Sequence, residues 1–225
     1  MTRRLAAEFL GSALLTAIVV GSGIAAQRLS PGDVGMQLFE NAFATALGLA
    51  VLILLFASIS GAHFNPVVSL VDGVAGDRPW SQVLAYIPAQ IIGCIAGAIL
   101  ANLMFAAPAV SWSTTDRLTP AHFLGEVVAT AGLVLVIFLL ANTPRAGYIP
   151  LAVGAYIGSA YFFTSSASFA NPAITIGRMF TDSFAGIAPS SAPGYLLAQF
   201  LGGAIGLALV FVFRGRAGTK GTPAS

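Results

Sequence analysis

Two Asn-Pro dipeptides, Asn65-Pro66 and Asn171-Pro172, lie 106 residues apart in opposite halves of a chain built mostly of apolar runs. A single Asn-Pro is an ordinary turn signal. Two in corresponding places, each following an apolar span, indicate an internal repeat whose broken segments meet inside a membrane. Pro suits the first turn of a helix, where its missing N–H has no partner to lose. Asn is among the best residues to cap that turn. The pattern therefore predicts two short helices that begin at Pro66 and Pro172. Bare backbone at membrane depth is tolerated only where it lines a cavity or is buried in protein.

Composition supports this placement. Hydrophobic residues make up 57% of the 225 and charged residues 8%, against about 25% charged in soluble domains. Six apolar runs are long enough to span, near 5–26, 38–59, 81–106, 121–141, 147–164 and 192–213. The first is too long for a signal-peptide core and carries Glu8, so it reads as a span. Re-entrant segments are expected at 60–73 and 165–180. The expected fold is an all-α membrane protein of six transmembrane helices and two re-entrant half-helices in an inverted repeat. Residues 1–106 form the first repeat, 107–120 an extracellular linker, 121–213 the second repeat and 214–225 a disordered cytoplasmic tail.

Three spans per half force the halves into opposite orientations. Each half opens with a lone intramembrane carboxylate, Glu8 and Glu126, which stand 57 and 45 residues before the respective Asn. Such groups are costly unless paired or hydrogen-bonded, and a proton relay is the alternative to a structural role. With both termini cytoplasmic, Arg3, Arg4, Arg78, Arg145, Arg214, Arg216 and Lys220 lie inside and Arg28, Arg117 and Arg178 outside, in line with the positive-inside rule. The net charge of +2 is too small and too scattered for nucleic-acid binding. One Cys and two His far apart give no metal spacing, and no cofactor or enzymatic chemistry is indicated. Cys94, near Gly93 and Gly97, reads as a small packing residue. Gly93, Gly97, Gly202, Gly203 and Gly206 give the small-residue spacing that lets membrane helices approach closely. His122 reads as a solvated helix end.

With its six spans, the Ser60-Gly61-Ala62-His63-Phe64-Asn65-Pro66 loop, the Asn171-Pro172-Ala173 loop and the paired Glu residues, the chain resembles the aquaporin (major intrinsic protein) family. Val67 departs from the usual Ala and adds bulk where the half-helices should abut. The resemblance implies a six-helix bundle, usually a homotetramer with one pore per subunit, embedded in a bilayer. It implies that Asn65 and Asn171 donate to the permeant molecule in mid-pore, and that the Gly61, Ala62 and His63 backbone lines the cytoplasmic half. A pH gate through the His63 imidazole is the sharper alternative. It implies that Glu8 and Glu126 hold the two loops.

The selectivity filter maps to Thr45, to Tyr161 or Ser159, to Ser168 and to Ile174. Counting from Asn171 favours Ser159; anchoring on Leu151-Ala152-Val153-Gly154 favours Tyr161. Most members have Arg where Ile174 stands, so the constriction is expected to be wide and uncharged. Arg178, four residues on, is expected in the outer vestibule, or else solvated and paired with Asp182. Residues 174–178 and Thr181-Asp182-Ser183-Phe184-Ala185-Gly186-Ile187 also resemble a bacterial subgroup linked to arsenic-resistance gene clusters. The implied function is a passive channel for small neutral solutes: arsenite and other metalloid hydroxides, polyols such as glycerol, and water. The alternatives are a plain water or glycerol facilitator, a proton-coupled transporter and a non-conducting junction protein.

Overall fold

The structure, a computed structural model, describes residues 1–76 and 78–214. Its elements are α1 (Thr2–Leu29), α2 (Val34–Ser60), α3 (Pro66–Ala75), α4 (Trp80–Met104), α5 (Pro120–Ala141), α6 (Ile149–Phe163), α7 (Pro172–Gly177) and α8 (Ala192–Arg214). Short 3₁₀ turns at Ala146–Tyr148 and Arg178–Phe180 precede α6 and follow α7. Among the described residues, six helices are long and apolar enough to cross a membrane, and α3 and α7 are the half-helices. Helix α7 has only 6 residues, shorter than the run expected from the apolar stretch, against 10 in α3. Arg214 belongs to α8 rather than to a tail: its guanidinium donates to the carbonyls of Ala75 at 3.0 Å and Phe138 at 3.1 Å. The rest of the expected tail lies outside the described residues.

The repeat is visible in the packing. Helix α1 packs chiefly on α4, and α5 on α8. Both pairs are drawn together by glycines on the later helix. A Cβ on Gly93 or Gly97 would lie 2.4 or 2.1 Å from the carbonyl oxygen of Phe9 or Ala13; one on Gly202 or Gly206 would lie 2.5 or 2.8 Å from that of Val127 or Ala131. No side chain fits at those distances, so backbone meets backbone, the packing that membrane helices use in place of a hydrophobic driving force. Cys94, wholly buried, packs in the same seam with its Sγ 3.8 Å from the Ser12 carbonyl. The halves also interlock, since α3 of the first touches α8 of the second and α7 touches α4.

The loops before α3 and α7 match in detail. Asn65 and Asn171 are extended N-caps whose side-chain oxygens accept from the N–H of Val67 at 2.9 Å and of Ala173 at 3.0 Å. Residues one and three before each Asn are left-handed: Phe64 and Ala62 (φ 50° and 52°), Ala170 and Ser168 (φ 49° and 46°). Non-Gly residues rarely adopt this conformation, and its recurrence at equivalent positions marks both loops as the same device.

Candidate functional site

What holds those strained loops is a buried carboxylate on the first helix of each half. Glu8 accepts from the N–H of His63 (3.0 Å) and Phe64 (2.8 Å), from Ser60 Oγ (2.6 Å) and from Gln90 Nε2 (2.8 Å). Glu126 accepts from the N–H of Phe169 (2.8 Å) and Ala170 (2.9 Å) and from Gln199 Nε2 (2.6 Å). Each Gln continues to a hydroxyl on the half-helix, Gln90 to Ser69 at 2.9 Å and Gln199 to Thr175 at 2.8 Å. Ser69 and Thr175 each stand four residues after their Asn. Sequence reasoning passed over both glutamines and both hydroxyls. The signal was present: each Gln stands within an apolar stretch in the middle of the last spanning helix of its half.

The loops are then tied to each other. Asn65 Nδ2 donates to the Ala170 carbonyl at 2.8 Å, and Asn171 Nδ2 donates to the Phe64 carbonyl at 2.8 Å. An amide nitrogen has two hydrogens, so each Asn keeps one N–H after this crossed pair forms. Both Asn side chains lie on the wall of a narrow internal cavity.

Much of the rest of that wall is aliphatic and repeats in register. Leu15 and Val19 stand 7 and 11 residues after Glu8, and Leu133 and Ile137 the same distances after Glu126; all four line the cavity. Thr45, Leu49 and Ile53 form an i, i+4 stripe on α2, faced by Val153, Ile157 and Tyr161 on α6. Val68 and Ile174, each three after an Asn, occupy equivalent wall positions. Bulk at Val67 is directed elsewhere: its Cγ1 fills the space above Gly203 on α8.

One end of the cavity opens into a second, lined by Gly61, Ala62, His63, Asp72 and Arg78, and the two share Ile53, Ala62, His63, Val68, Ile137 and Val153. Gly61, at φ 96°, ends α2 in the left-handed form that glycine takes without penalty. The imidazole of His63 is held on both nitrogens, by Ser69 Oγ at 2.9 Å and Asp72 Oδ2 at 3.2 Å. Arg78 Nε binds the same Asp72 oxygen at 2.5 Å and its Nη1 reaches the Tyr86 hydroxyl at 3.2 Å. Burial raises the Asp72 carboxyl, but the His63 and Arg78 hydrogen bonds and charges outweigh it and bring the pKa from 3.8 down to about 2.

At the opposite end Tyr161, Thr45, Ser168 and Ile174 line one cavity, and the Tyr161 hydroxyl donates to Thr45 Oγ1 at 3.3 Å. Ser159 is not among them: it is exposed, its hydroxyl donating to the Tyr156 carbonyl at 2.8 Å. Two positions along a helix turn the side chain about 200°, so only one of the pair can face inward.

Arg178 departs from one of the expectations for it: it is not a solvated partner of Asp182. It is 3% exposed and lines the same cavity, so this end of the wall is not uncharged. Asp182 instead accepts from the Thr114 N–H at 2.9 Å and hydroxyl at 3.0 Å. His122, too, is more than a solvated end, since its Nδ1 bonds the Arg117 carbonyl.

A bundle of six spanning helices with a cavity lined in register by both halves of an inverted repeat is a multi-pass membrane protein. A model of the major intrinsic protein family matches residues 1–170, and the chain belongs to that family of channels for small neutral solutes. It is 46% identical to aquaglyceroporin AqpS of Rhizobium meliloti, over 93% of this chain and 89% of that one. It is 34% identical to a probable glycerol uptake facilitator protein of Thermotoga maritima, over 68% of this chain and 71% of that one. The fold is that of the aquaglyceroporin from Plasmodium falciparum, with a TM-score of 0.70 at 22% identity over 92% of this chain and 94% of that structure.

Proposed function

We propose that this protein is a passive channel for arsenite and other neutral metalloid hydroxides and for polyols such as glycerol, with water passing as well. The observation that carries the reading is the crossed asparagine pair. Each amide has one N–H left over on a wall whose middle is largely aliphatic. A neutral molecule bearing hydroxyl groups can accept those hydrogen bonds while its remaining surface slides along Leu15, Leu49, Leu133 and Ile157. A permeant that replaces its lost hydration at a few points and is held nowhere else can leave as readily as it enters.

Two features favour solutes larger than water. Thr45 is small where it meets Tyr161, and Ile174 brings no charge directly after Asn171-Pro172-Ala173. Relatives named as an aquaglyceroporin and a glycerol uptake facilitator point the same way. A proton-coupled transporter would need a titrating carboxylate on the passage. Glu8 and Glu126 are wholly buried behind the loops, with several hydrogen bonds each.

On this reading the channel is a homotetramer of the inner (plasma) membrane with cytoplasmic termini. The orientation rests on the excess of Lys and Arg at one side, which grows once Arg178 is counted as buried. The tetramer rests on the family resemblance. Ile174→Arg tests the assignment in proteoliposomes: glycerol and arsenite permeability should fall at least threefold more than water permeability. An equal loss of all three would argue against it.

A further inference from the structure

Ile174 leaves the wall beside Thr45 and Tyr161 without a charge, yet a charged group is buried there. On a continuing helix the residue four further on lies over the same face, about 6 Å along the axis. That residue is Arg178, in the 3₁₀ turn where α7 ends.

Its side chain is held from behind. Nε donates to the Ala185 carbonyl, and the guanidinium carbon lies 3.3 Å from the centre of the Phe169 ring. The carbonyls flanking Ala185 serve another arginine, Arg117, whose Nη2 reaches Phe184 O at 2.7 Å and whose Nε reaches Gly186 O at 2.6 Å. The segment is pinned in turn, because Phe184 N–H donates to Gln27 Oε1 at 2.9 Å and Asp182 is anchored on Thr114. Three successive carbonyls thus cradle two guanidinium groups, which gives the Thr181–Ile187 sequence a physical purpose.

A guanidinium has five N–H donors. Among the described residues, Arg178 uses one, and no carboxylate pairs with it. An unpaired buried cation is expensive, and Arg178 lines the cavity, where a permeating solute could take up its remaining donors. Ser168 Oγ, on the same wall and 2% exposed, also has no hydrogen-bond partner. Helix ends contribute only about half a charge, and α7 is one and a half turns long; of the two cradled arginines, Arg178 is the one that lines the cavity.

We propose that Arg178 is the specificity-determining residue of the narrow region. It supplies from one turn further along the donors and the cation barrier that position 174 lacks: it hydrogen-bonds the hydroxyl oxygens of neutral solutes and rejects small cations. This rests on the channel reading above. The test is sodium and potassium leak, measured per unit of water flux, in proteoliposomes of wild type, Arg178→Gln and Arg178→Gln with Ile174→Arg. The ratio should rise at least tenfold in the single variant and fall back toward wild type in the double. An unchanged ratio in Arg178→Gln would overturn the proposal. If that variant does not assemble, Arg178→Lys decides: the cation barrier should hold while the glycerol-to-water ratio shifts at least threefold, and an unmoved ratio counts against it. A wild type that passes neither water nor glycerol would instead remove the channel reading itself.

Discussion

Val67 occupies the space that Gly203 leaves open: a Cβ on Gly203 would lie 2.5 Å from Val67 Cγ1. The extra bulk after Asn65-Pro66 is therefore absorbed by α8, not by the opposing half-helix. Gly203→Ala should destabilise the folded channel by about 1–3 kcal/mol through overpacking. Val67→Ala in the same chain should recover most of that loss. Thermal unfolding in detergent of the two single variants and the double closes the cycle, and strict additivity would contradict the contact.

Glu126→Gln replaces an acceptor-only group with an amide in a site where two backbone N–H groups and Gln199 Nε2 all donate. At least one buried donor is left unsatisfied, at a cost of about 1–3 kcal/mol. The variant should lose thermal stability, and its water and glycerol fluxes should fall together. Wild-type flux should show no dependence on an imposed proton gradient. Gradient-driven uptake abolished by this substitution in a folded protein would indicate proton coupling.

Asp72 links pH to stability with a definite sign. Its carboxyl is held at about 2 in the fold against an ordinary 3.8, so the folded state favours the ionised form. The stabilisation is complete above about pH 4 and is lost as the pH falls through 2. Because the group is partly exposed, screening reduces it to the order of 1 kcal/mol. The melting temperature in detergent should decline between pH 5 and 2 in wild type, with a flatter decline in Asp72→Asn. Parallel curves would mean that His63 and Arg78 do not perturb this group.

Thr45 and Tyr161 line the passage side by side, joined by a hydrogen bond, while Ser159 faces out. Thr45→Phe should reduce glycerol permeability about tenfold or more and water permeability far less. Ser159→Phe should leave both within twofold. Light-scattering measurements on the two variants suffice, and a large effect at Ser159 would reverse the assignment of the inward face.

Much of this was legible before any coordinates. Apolar runs located the six spans because burial in lipid demands length. Asn65-Pro66 and Asn171-Pro172 located the half-helices because capping and the missing proline N–H act locally. Tyr161 and Ser159 were not separable by counting, since a two-residue ambiguity in the following loop moves a helix position to the opposite face. The burial of Arg178 was hidden for a different reason. A lone Arg near Asp182 reads as solvated, and only the return of the Ala185 carbonyl from further along the chain, with the Phe169 ring, holds it in a buried place. Gln90 and Gln199 were overlooked because their partners, Glu8 and Glu126, lie 82 and 73 residues away.

The most direct test of the account is stopped-flow measurement of water, glycerol and arsenite permeability in proteoliposomes of the unmodified chain, with no pH or ion gradient. The account predicts that all three exceed protein-free vesicles and that glycerol and arsenite rise linearly with concentration. Water conduction with glycerol and arsenite at background would contradict it, as would saturable uptake that requires a gradient.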